Sequence, residues 1–190
     1  MSVFPVFLKL AGRRVVVVGG GPVAASKLRG LLEAGASVTV VAPEMVDQIS
    51  EAPVEIRRRP FVPEDLEGAW YVVAAAPPEV NREVSRAAHA RTIFVNAVDD
   101  LENASAYAGA VLRRAGVTIA LSTDGEAPAL AGLMREALEA VLPDDLEVWM
   151  TTARDARKRW LAERVPMAER RPLLLEALNA LYDQRPSVKR

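Results

Sequence analysis

A glycine loop between a predicted strand and a predicted helix constrains this chain more than any other feature. The apolar run RVVVV (14–18) leads into Gly19-x-Gly21-x-x-Ala24, and a helical pattern over 22–34 follows, with Gly35 where a helix C-terminal glycine belongs. In such a turn the first glycine permits a sharp bend and the second lets a phosphate approach the backbone. The helix N-terminus would offer amides and a positive dipole end to that phosphate. A tight turn without a ligand is the alternative. The loop predicts a dinucleotide site made by Gly19, Gly21, Pro22, Val23 and Ala24.

The end of the second predicted strand indicates which dinucleotide the loop would hold. The run SVTVV (37–41) continues into the tripeptide APE, whereas an acidic residue directly after the strand would bind the ribose 2′-hydroxyl of NAD. Glu44 lies two residues beyond that position and is the candidate for the ribose contact. No Arg or Lys occurs between Val41 and Arg57 to pair with the 2′-phosphate of NADP. The pattern therefore favours NAD.

Strand and helix patterns alternate along the first ~120 residues, which is typical of an α/β protein. Further strands are predicted at 54–57, 70–75, 93–98 and 117–122, and a second helix at 79–90. Runs that are β-branched and apolar on both faces suit a buried parallel sheet. We expect a Rossmann-like doubly wound parallel sheet, with right-handed crossovers between its strands.

Composition excludes several classes of chemistry. The chain has 190 residues, no cysteine and a single histidine, His89. Disulfides, thiolate metal sites and cysteine nucleophiles are therefore excluded, and no resident metal site is predicted. His89 is expected on the surface of the second helix. No run reaches the ~18 apolar residues of a membrane span, and the N-terminus lacks a signal-peptide pattern. We expect a cytoplasmic protein.

The C-terminal part of the chain is predicted to be helical. Pro128 suits the first turn of a helix at 128–141. An apolar stripe on this helix predicts packing, and the pattern leaves open whether the stripe meets the same chain or a second one; its members are Leu130, Leu133, Met134, Ala137, Leu138 and Val141. Helical stretches around Trp149 and Trp160 and over 172–182 follow. Residues 151–190 hold ten Lys or Arg and five Asp or Glu, which indicates either a solvated face or a surface for an anionic ligand.

Three ordered motifs carry a resemblance to a known family. They are GGGPVAASKLRGLLEAGASVTVVAPE (19–44), NAVDD (96–100) and IALSTDGEAPALAGLMREALE (119–139). With them, roughly residues 1–145 resemble the precorrin-2 dehydrogenase/sirohydrochlorin ferrochelatase family, the N-terminal module of siroheme synthase. The resemblance implies NAD-dependent oxidation of precorrin-2 to sirohydrochlorin in siroheme biosynthesis. In some members it also implies insertion of Fe²⁺, as a substrate, into the product.

The resemblance also implies how the chain is organised. It places an NAD-binding Rossmann domain at 1–112, a dimerisation region at 113–145 and a C-terminal helical domain at 146–190. It further implies a homodimer.

Candidate site residues follow from the same resemblance. The family's key acid falls on Asp99, directly after the predicted strand IFVNAV (93–98). A carboxylate there can accept the proton that leaves the substrate during oxidation, whereas a helix cap or turn acid is the alternative. The tetrapyrrole carries many carboxylates and needs cationic and polar groups to hold it. The substrate-binding candidates are Asn96, Arg113, Arg114, Ser122, Thr123 and Arg135.

The sequence departs from the family pattern in two places. LENASAYAGA (101–110) stands where the family has a Pro, a Cys and aromatic residues, and Asp124 and Ala127 replace a Gly and a Ser. Thr123 matches a regulatory or binding hydroxyl of the family. Two other functions remain open: a non-catalytic NAD/NADH-sensing regulatory subunit, and a tetrapyrrole chelatase without dehydrogenase activity.

Overall fold

The computed structural model of the chain divides into two compact units. One is formed by Met1–Ala108 with Asp124–Glu126, and the other by Gly109–Thr123 with Ala127–Arg190. The structure describes residues 3–183, so three cations of the basic C-terminal segment, Arg185, Lys189 and Arg190, lie outside the described residues. None of the helices described between residues 3 and 183 has both the length and the apolar character of a membrane span.

The first unit is built on a five-stranded parallel sheet. Its strands lie in the order β3-β2-β1-β4-β5, so β1 is central and pairs with β2 on one side and β4 on the other. The strands are β1 (Arg14–Val18), β2 (Ser37–Val41), β3 (Glu55–Arg57), β4 (Tyr71–Ala74) and β5 (Phe94–Ala97). The strand order reverses at β1, which is the switch point where ligands bind in open α/β sheets. The predicted Rossmann-like sheet is thus confirmed.

Helices cover both faces of this sheet. Alternate residues of β1 point to opposite faces: Val15 and Val17 pack with Leu28 of α1, and Val16 and Val18 pack with Val84 of α3. The helices of this unit are α1 (Pro22–Glu33), a short α2 (Asp47–Ser50) and α3 (Pro78–Ala90), with a 3₁₀ turn at Pro63–Leu66. The α2 and 3₁₀ segments have no counterpart in the sequence prediction, because neither is long enough to show helical periodicity.

Two local predictions for the first unit are confirmed. Gly35 follows α1 with φ +73°, the left-handed conformation that glycine adopts most easily after a helix end. His89 lies exposed in the last turn of α3, as expected for a surface histidine.

The second unit contains a β-hairpin. Strands β6 (Ala110–Arg114) and β7 (Val117–Leu121) pair antiparallel, through a turn in which Ala115 and Gly116 both have positive φ. The predicted strand at 117–122 is therefore present, but it is not a further strand of the parallel sheet. Its alternating burial is typical of a sheet with one solvated face. The sequence pattern did not predict β6.

Three helices complete the second unit: α4 (Pro128–Val141), α5 (Leu146–Ala162) and α6 (Met167–Asp183). Pro128 occupies the first turn of α4, as predicted. The last predicted helix begins earlier than expected, because α6 carries Pro172 in its interior rather than at its start. An edge-to-face contact between Trp149 and Tyr182, with ring centroids 6.2 Å apart, joins α5 to α6.

The apolar stripe of α4 does not form the core of its unit. Four of its six members are exposed large hydrophobic residues: Leu130 (51%), Leu133 (64%), Met134 (45%) and Val141 (73%). Ala131, which lies off the predicted stripe, is the buried residue of this helix. Packing among residues 3–183 therefore leaves most of the stripe uncovered.

Candidate dinucleotide site

Gly19 and Gly20 are glycines for reasons internal to the fold. Gly19 has φ +124°, and a Cβ atom there would overlap the Ala75 carbonyl at the end of β4. A Cβ atom on Gly20 would overlap the Glu44 carbonyl that follows β2. Because neither residue has a side chain, the loop can pass between the segments that follow β4 and β2.

Gly21 has no such internal reason. Its φ of −85° and ψ of −178° are open to any residue, and a Cβ atom there would meet nothing within 4 Å. The protein therefore leaves an open space directly over the backbone at Gly21. That space is where the glycine of a dinucleotide loop lets the pyrophosphate approach, so the loop fits such a ligand.

The start of α1 presents hydrogen-bond donors to the same space. The helical hydrogen bonding begins at Ala25, whose N–H donates to the Gly21 carbonyl oxygen at 3.1 Å. The amides of Val23 and Ala24 lie in the first turn, where a helix has no internal acceptors. The first turn contains no acidic residue to offset the positive end of the helix dipole. Ala24 is fully buried, which fits its predicted role in close packing.

Glu44 lies beside the glycine loop. Its carbonyl faces Gly20, and the N–H of Val46 donates to the Gly20 carbonyl oxygen at 2.9 Å. The Glu44 side chain is exposed. The segment after β2 is thus fastened to the loop, with the predicted ribose-binding acid at its surface.

A cavity of about 430 Å³ opens in the first unit beyond the ends of β4 and β5. It brings together Val23, a predicted cofactor-binding residue, and Asp99, the predicted catalytic acid. This is the crevice at the carboxyl ends of the strands in which α/β proteins bind ligands. Its lining is formed by Val23, Ala75, Ala76, Pro78, Asn81, Arg82, Val98, Asp99 and Asp100.

The two adjacent acids of the cavity differ in their contacts. The Asp100 carboxylate accepts hydrogen bonds from the Asn103 side chain at 2.8 and 3.0 Å and therefore holds the turn. Asp99 is exposed and has φ +57°, a conformation that aspartate tolerates better than most residues. Its carboxylate makes no hydrogen bond or ion pair with any residue of 3–183. Asp99 is thus the acid whose carboxylate is left available to a ligand.

Two polar residues of α3 that line this cavity were not predicted from the sequence. Asn81 is buried, and its Oδ1 accepts a hydrogen bond from the Ala76 N–H at 2.9 Å, which fixes the loop after β4. Arg82 follows it on α3 and is exposed. The available signal was their place in the first turns of a helix that directly follows a buried strand, since such turns line the crevice.

Of the predicted substrate-binding residues, Asn96 belongs to the first unit. It is buried in β5, and its Nδ2 donates to the Ala106 carbonyl oxygen at 3.1 Å. Its Oδ1 has no hydrogen-bond partner among the described residues. Asn96 does not line the cavity, so its visible contact supports the segment that runs beside β5.

The other five substrate-binding candidates, Arg113, Arg114, Ser122, Thr123 and Arg135, belong to the second unit. Arg114 donates to the Pro143 carbonyl oxygen at 2.7 Å, just after the end of α4. Arg135 pairs with Glu139 on the same helix at 2.8 Å. Thr123 Oγ1 accepts a hydrogen bond from the Ala127 N–H at 3.2 Å, immediately before α4. Three of the five thus make contacts that support their own unit.

The strongest charge cluster of the first unit does not line the cavity. Asp65 is 1% exposed and binds Arg57 and Arg59, with N–O distances of 2.7 Å to each. Burial would raise the pKa of Asp65, but hydrogen bonds from Arg59, the Val62 amide and Arg57 lower it to about 2. Burial raises the pKa of Tyr71 to about 12. Asp65 and Tyr71 do not line the cavity, so these two pKa shifts concern the structure of the sheet and not the candidate site.

The parallel sheet, the glycine loop and the open space over Gly21 define a nucleotide-binding protein of the Rossmann type. Residues 6–110 match a family of domains described as "Putative NAD(P)-binding". The chain belongs to this family. The match confirms the predicted nicotinamide dinucleotide as the cofactor.

Similar proteins carry names from one biosynthetic route. Siroheme synthase 3 of Aeromonas hydrophila is 41% identical over 176 residues, which cover 90% of this chain and 38% of that protein. Siroheme synthase of Photorhabdus laumondii is 38% identical over 187 residues, which cover 96% of this chain and 40% of that protein. The chain thus spans about two fifths of the length of these curated relatives.

A solved structure agrees with this grouping. The protein titled "SirC, precorrin-2 dehydrogenase" superposes with a TM-score of 0.72 at 28% identity, covering 92% of this chain and 88% of its own. The resemblance stated from the three sequence motifs is therefore confirmed.

Proposed function

We propose that this protein is an NAD-dependent dehydrogenase that oxidises precorrin-2 to sirohydrochlorin in siroheme biosynthesis. The observation that carries the proposal is that Val23 of the cofactor loop and Asp99, whose carboxylate has no partner within 3–183, line the same cavity. The relatives named siroheme synthase and precorrin-2 dehydrogenase support the choice of substrate.

Different residues of the first unit have different roles in this reaction. NAD, when bound, supplies the acceptor for a hydride. Gly21 leaves room for the pyrophosphate, and the amides of Val23 and Ala24 would hold it. Asp99 accepts the proton that leaves the tetrapyrrole when the hydride leaves, because a positioned carboxylate can act as a general base. Asn81 holds the loop at Ala76 that forms one wall of the cavity.

The cofactor is NAD rather than NADP. Glu44 lies beside the glycine loop and would accept a hydrogen bond from the ribose 2′-hydroxyl while repelling a 2′-phosphate. The first basic residues after β2 are the three arginines 57–59, and β3 lies directly beside β2. Arg57 and Arg59 bind Asp65, and Arg58 donates one hydrogen bond to Ser50 Oγ at 3.0 Å. Arg57, which lies beside Val41 at the end of β2, is therefore bound to Asp65 and not left for a 2′-phosphate.

Fe²⁺ is the second candidate substrate, for the sirohydrochlorin ferrochelatase (lyase) reaction. The observation that favours it is again the unpaired Asp99 carboxylate, because pyrrole nitrogens must release two protons when the iron enters. The iron would be held by the tetrapyrrole and by carboxylates. Asn96, Arg113, Arg114, Ser122, Thr123 and Arg135 remain the predicted substrate-binding residues.

We also propose that the protein is a homodimer through the region 113–145. The exposed apolar stripe of α4, defined above, supports this, because a helix face of this kind is expected to be covered by a partner. The predicted boundaries at 112 and 145 and the cytoplasmic location stay predictions.

An anaerobic assay tests the proposed oxidation. The protein is mixed with NAD and precorrin-2, and NADH and sirohydrochlorin are followed by their absorbance; both should form in equal amounts and only when the protein is present. A protein that binds NAD and yields neither product would instead be the NAD/NADH-sensing subunit. Iron uptake into sirohydrochlorin without NADH formation would identify the chelatase that lacks dehydrogenase activity.

A further inference from the structure

The cavity that contains Asp99 has an unbalanced charge. Among the described residues that line it, Asp99 and Asp100 are acidic and Arg82 is the one cation. A tetrapyrrole that carries many carboxylates would be repelled by the two acids as it approaches the nicotinamide side of the site. A positive group at the cavity would offset this repulsion, and Arg82 is in the position to supply it.

The Arg82 guanidinium is not occupied by the protein. It makes no hydrogen bond or ion pair with a residue of the described range 3–183, and its side chain is exposed. This separates it from the paired arginines of the chain. Arg57 and Arg59 bind Asp65, and Arg135 binds Glu139. A guanidinium without an internal partner retains its full set of donors for a ligand.

The backbone that carries Arg82 is anchored, although its side chain is free. The preceding residue, Asn81, is buried and bound to the Ala76 amide, and Val84 on the same helix is fully buried against the sheet. Pro78 fixes the first turn of α3. The Cα atom of Arg82 is thus held at a fixed place in the wall of the cavity.

We propose that Arg82 is a substrate-binding residue that donates paired hydrogen bonds to a carboxylate of the tetrapyrrole and so places the macrocycle beside Asp99. This rests on the proposed function and names a residue through which the same site selects a polycarboxylate. A planar guanidinium suits a carboxylate because it donates two parallel N–H bonds. The alternative role of this cation is a contact with the bound dinucleotide. Separate values of Kd for NAD and for sirohydrochlorin distinguish the two roles.

The test compares Arg82→Gln and Arg82→Lys with Arg86→Gln. Arg86 lies one turn further along α3, is exposed and does not line the cavity, so its variant removes the same charge from the same helix. Four quantities are measured for each protein: the KM and kcat for precorrin-2, the Kd for NAD by calorimetry, and the Kd for sirohydrochlorin by absorbance titration of the NAD-loaded protein.

We expect Arg82→Gln to raise the KM for precorrin-2 and the Kd for sirohydrochlorin roughly tenfold, as for a lost hydrogen bond to a charged group, with the Kd for NAD unchanged. Arg82→Lys should restore part of the affinity, because the charge returns without the paired donors. The salt dependence of sirohydrochlorin binding should weaken in Arg82→Gln and stay unchanged in Arg86→Gln.

Three results would overturn the inference. Equal constants for Arg82→Gln and Arg86→Gln would show that the charge at 82 does not contact the substrate. A matching loss of NAD affinity would assign Arg82 to the cofactor. A wild-type protein that neither binds sirohydrochlorin nor oxidises precorrin-2 would remove the proposed function itself, whereas binding without oxidation would leave the role of Arg82 measurable by titration.

Discussion

Val23, in the first turn of α1, and Asp99, just after β5, line one cavity at the carboxyl edge of the sheet. The strand between their two strands, β4, ends in the same cavity with Ala75 and Ala76. A dinucleotide held at the helix N-terminus would therefore have a free carboxylate within the same enclosure as its reactive end.

Gly21 and Gly20 should respond to alanine in opposite ways. Gly21→Ala should leave the thermal unfolding temperature unchanged and weaken NAD binding about tenfold or more, because the added methyl meets no protein atom but enters the phosphate space. Gly20→Ala should destabilise the protein by about 1–3 kcal/mol, because its methyl meets the Glu44 carbonyl. Calorimetry with NAD and thermal unfolding measure the two effects. Gly21→Asp should abolish binding, and undiminished NAD affinity in that variant would remove the site.

Cofactor choice should depend on Glu44. NADP should bind the wild type more weakly than NAD, because its 2′-phosphate would meet the Glu44 carboxylate while Arg57 and Arg59 are bound to Asp65. Glu44→Gln should narrow the difference by roughly threefold to tenfold, since it removes one repulsive charge. Parallel calorimetric titrations with the two cofactors provide the measurement. Equal affinities in the wild type would contradict the assignment of NAD.

Sequence patterns predicted the parts of this structure that local rules govern. The glycine loop, β1, α1 and Gly35 follow from spacing and residue type within a single strand-turn-helix unit. The β6 strand, AVLRR, ends in two arginines and has little apolar alternation, and its turn uses a positive-φ alanine at 115 that no turn rule favours. Its existence depends on its pairing with β7, which the local sequence does not encode.

The site shows the same division. Asp99 was predicted from a family motif, and its place after a strand was visible in the sequence. Arg82 was not predicted, because nothing in its local sequence distinguishes it from the other exposed arginines. Only the tertiary structure shows that it lines the cavity of Asp99, while Arg135, which was predicted, pairs with Glu139 on its own helix.

Asp65 should make stability depend on pH in the acidic range. Its pKa is about 2 in the folded chain against an ordinary 3.8, so its contribution is present above pH ~4 and is lost as the pH falls towards 2. The difference corresponds to about 2 kcal/mol. Asp65→Asn should remove this pH dependence and destabilise the protein at neutral pH by at least that amount, because Arg57 and Arg59 lose their partner.

Urea unfolding at several pH values measures the effect of Asp65. Glu64→Gln is the matched control, since Glu64 is the adjacent acid and is exposed. If Asp65→Asn and Glu64→Gln show the same profile between pH 4 and 2, the cluster does not contribute as described.

The apolar face of α4 should hold two copies of the chain together. Leu133 is 64% exposed, and Leu133→Glu should shift the protein from dimer to monomer by placing a charge in the apolar interface. Glu136→Gln, on the same helix and exposed, should leave the dimer intact. Sedimentation at micromolar concentration distinguishes the two states. A wild-type monomer under these conditions would exclude the proposed homodimer.

Asp99 should be required for turnover and not for cofactor binding. Asp99→Asn keeps the size and polarity of the side chain but cannot accept a proton, so the rate of NADH formation from precorrin-2 should fall by roughly 10²–10⁴-fold. The Kd for NAD should not change, because the pyrophosphate contacts lie at the glycine loop. Iron uptake into sirohydrochlorin, measured beside it, should fall as well if the same carboxylate takes the pyrrole protons.

The neighbouring acid provides the control for this experiment. The Asp100 carboxylate is bound to Asn103, so Asp100→Asn should loosen the turn and lower the unfolding temperature slightly while retaining far more activity than Asp99→Asn. Near wild-type oxidation in Asp99→Asn would exclude this carboxylate as the base, and the reaction would then depend on positioning of the substrate against the cofactor. Loss of oxidation with intact iron uptake would confine Asp99 to the first reaction, because the two reactions remove protons from different atoms of the macrocycle.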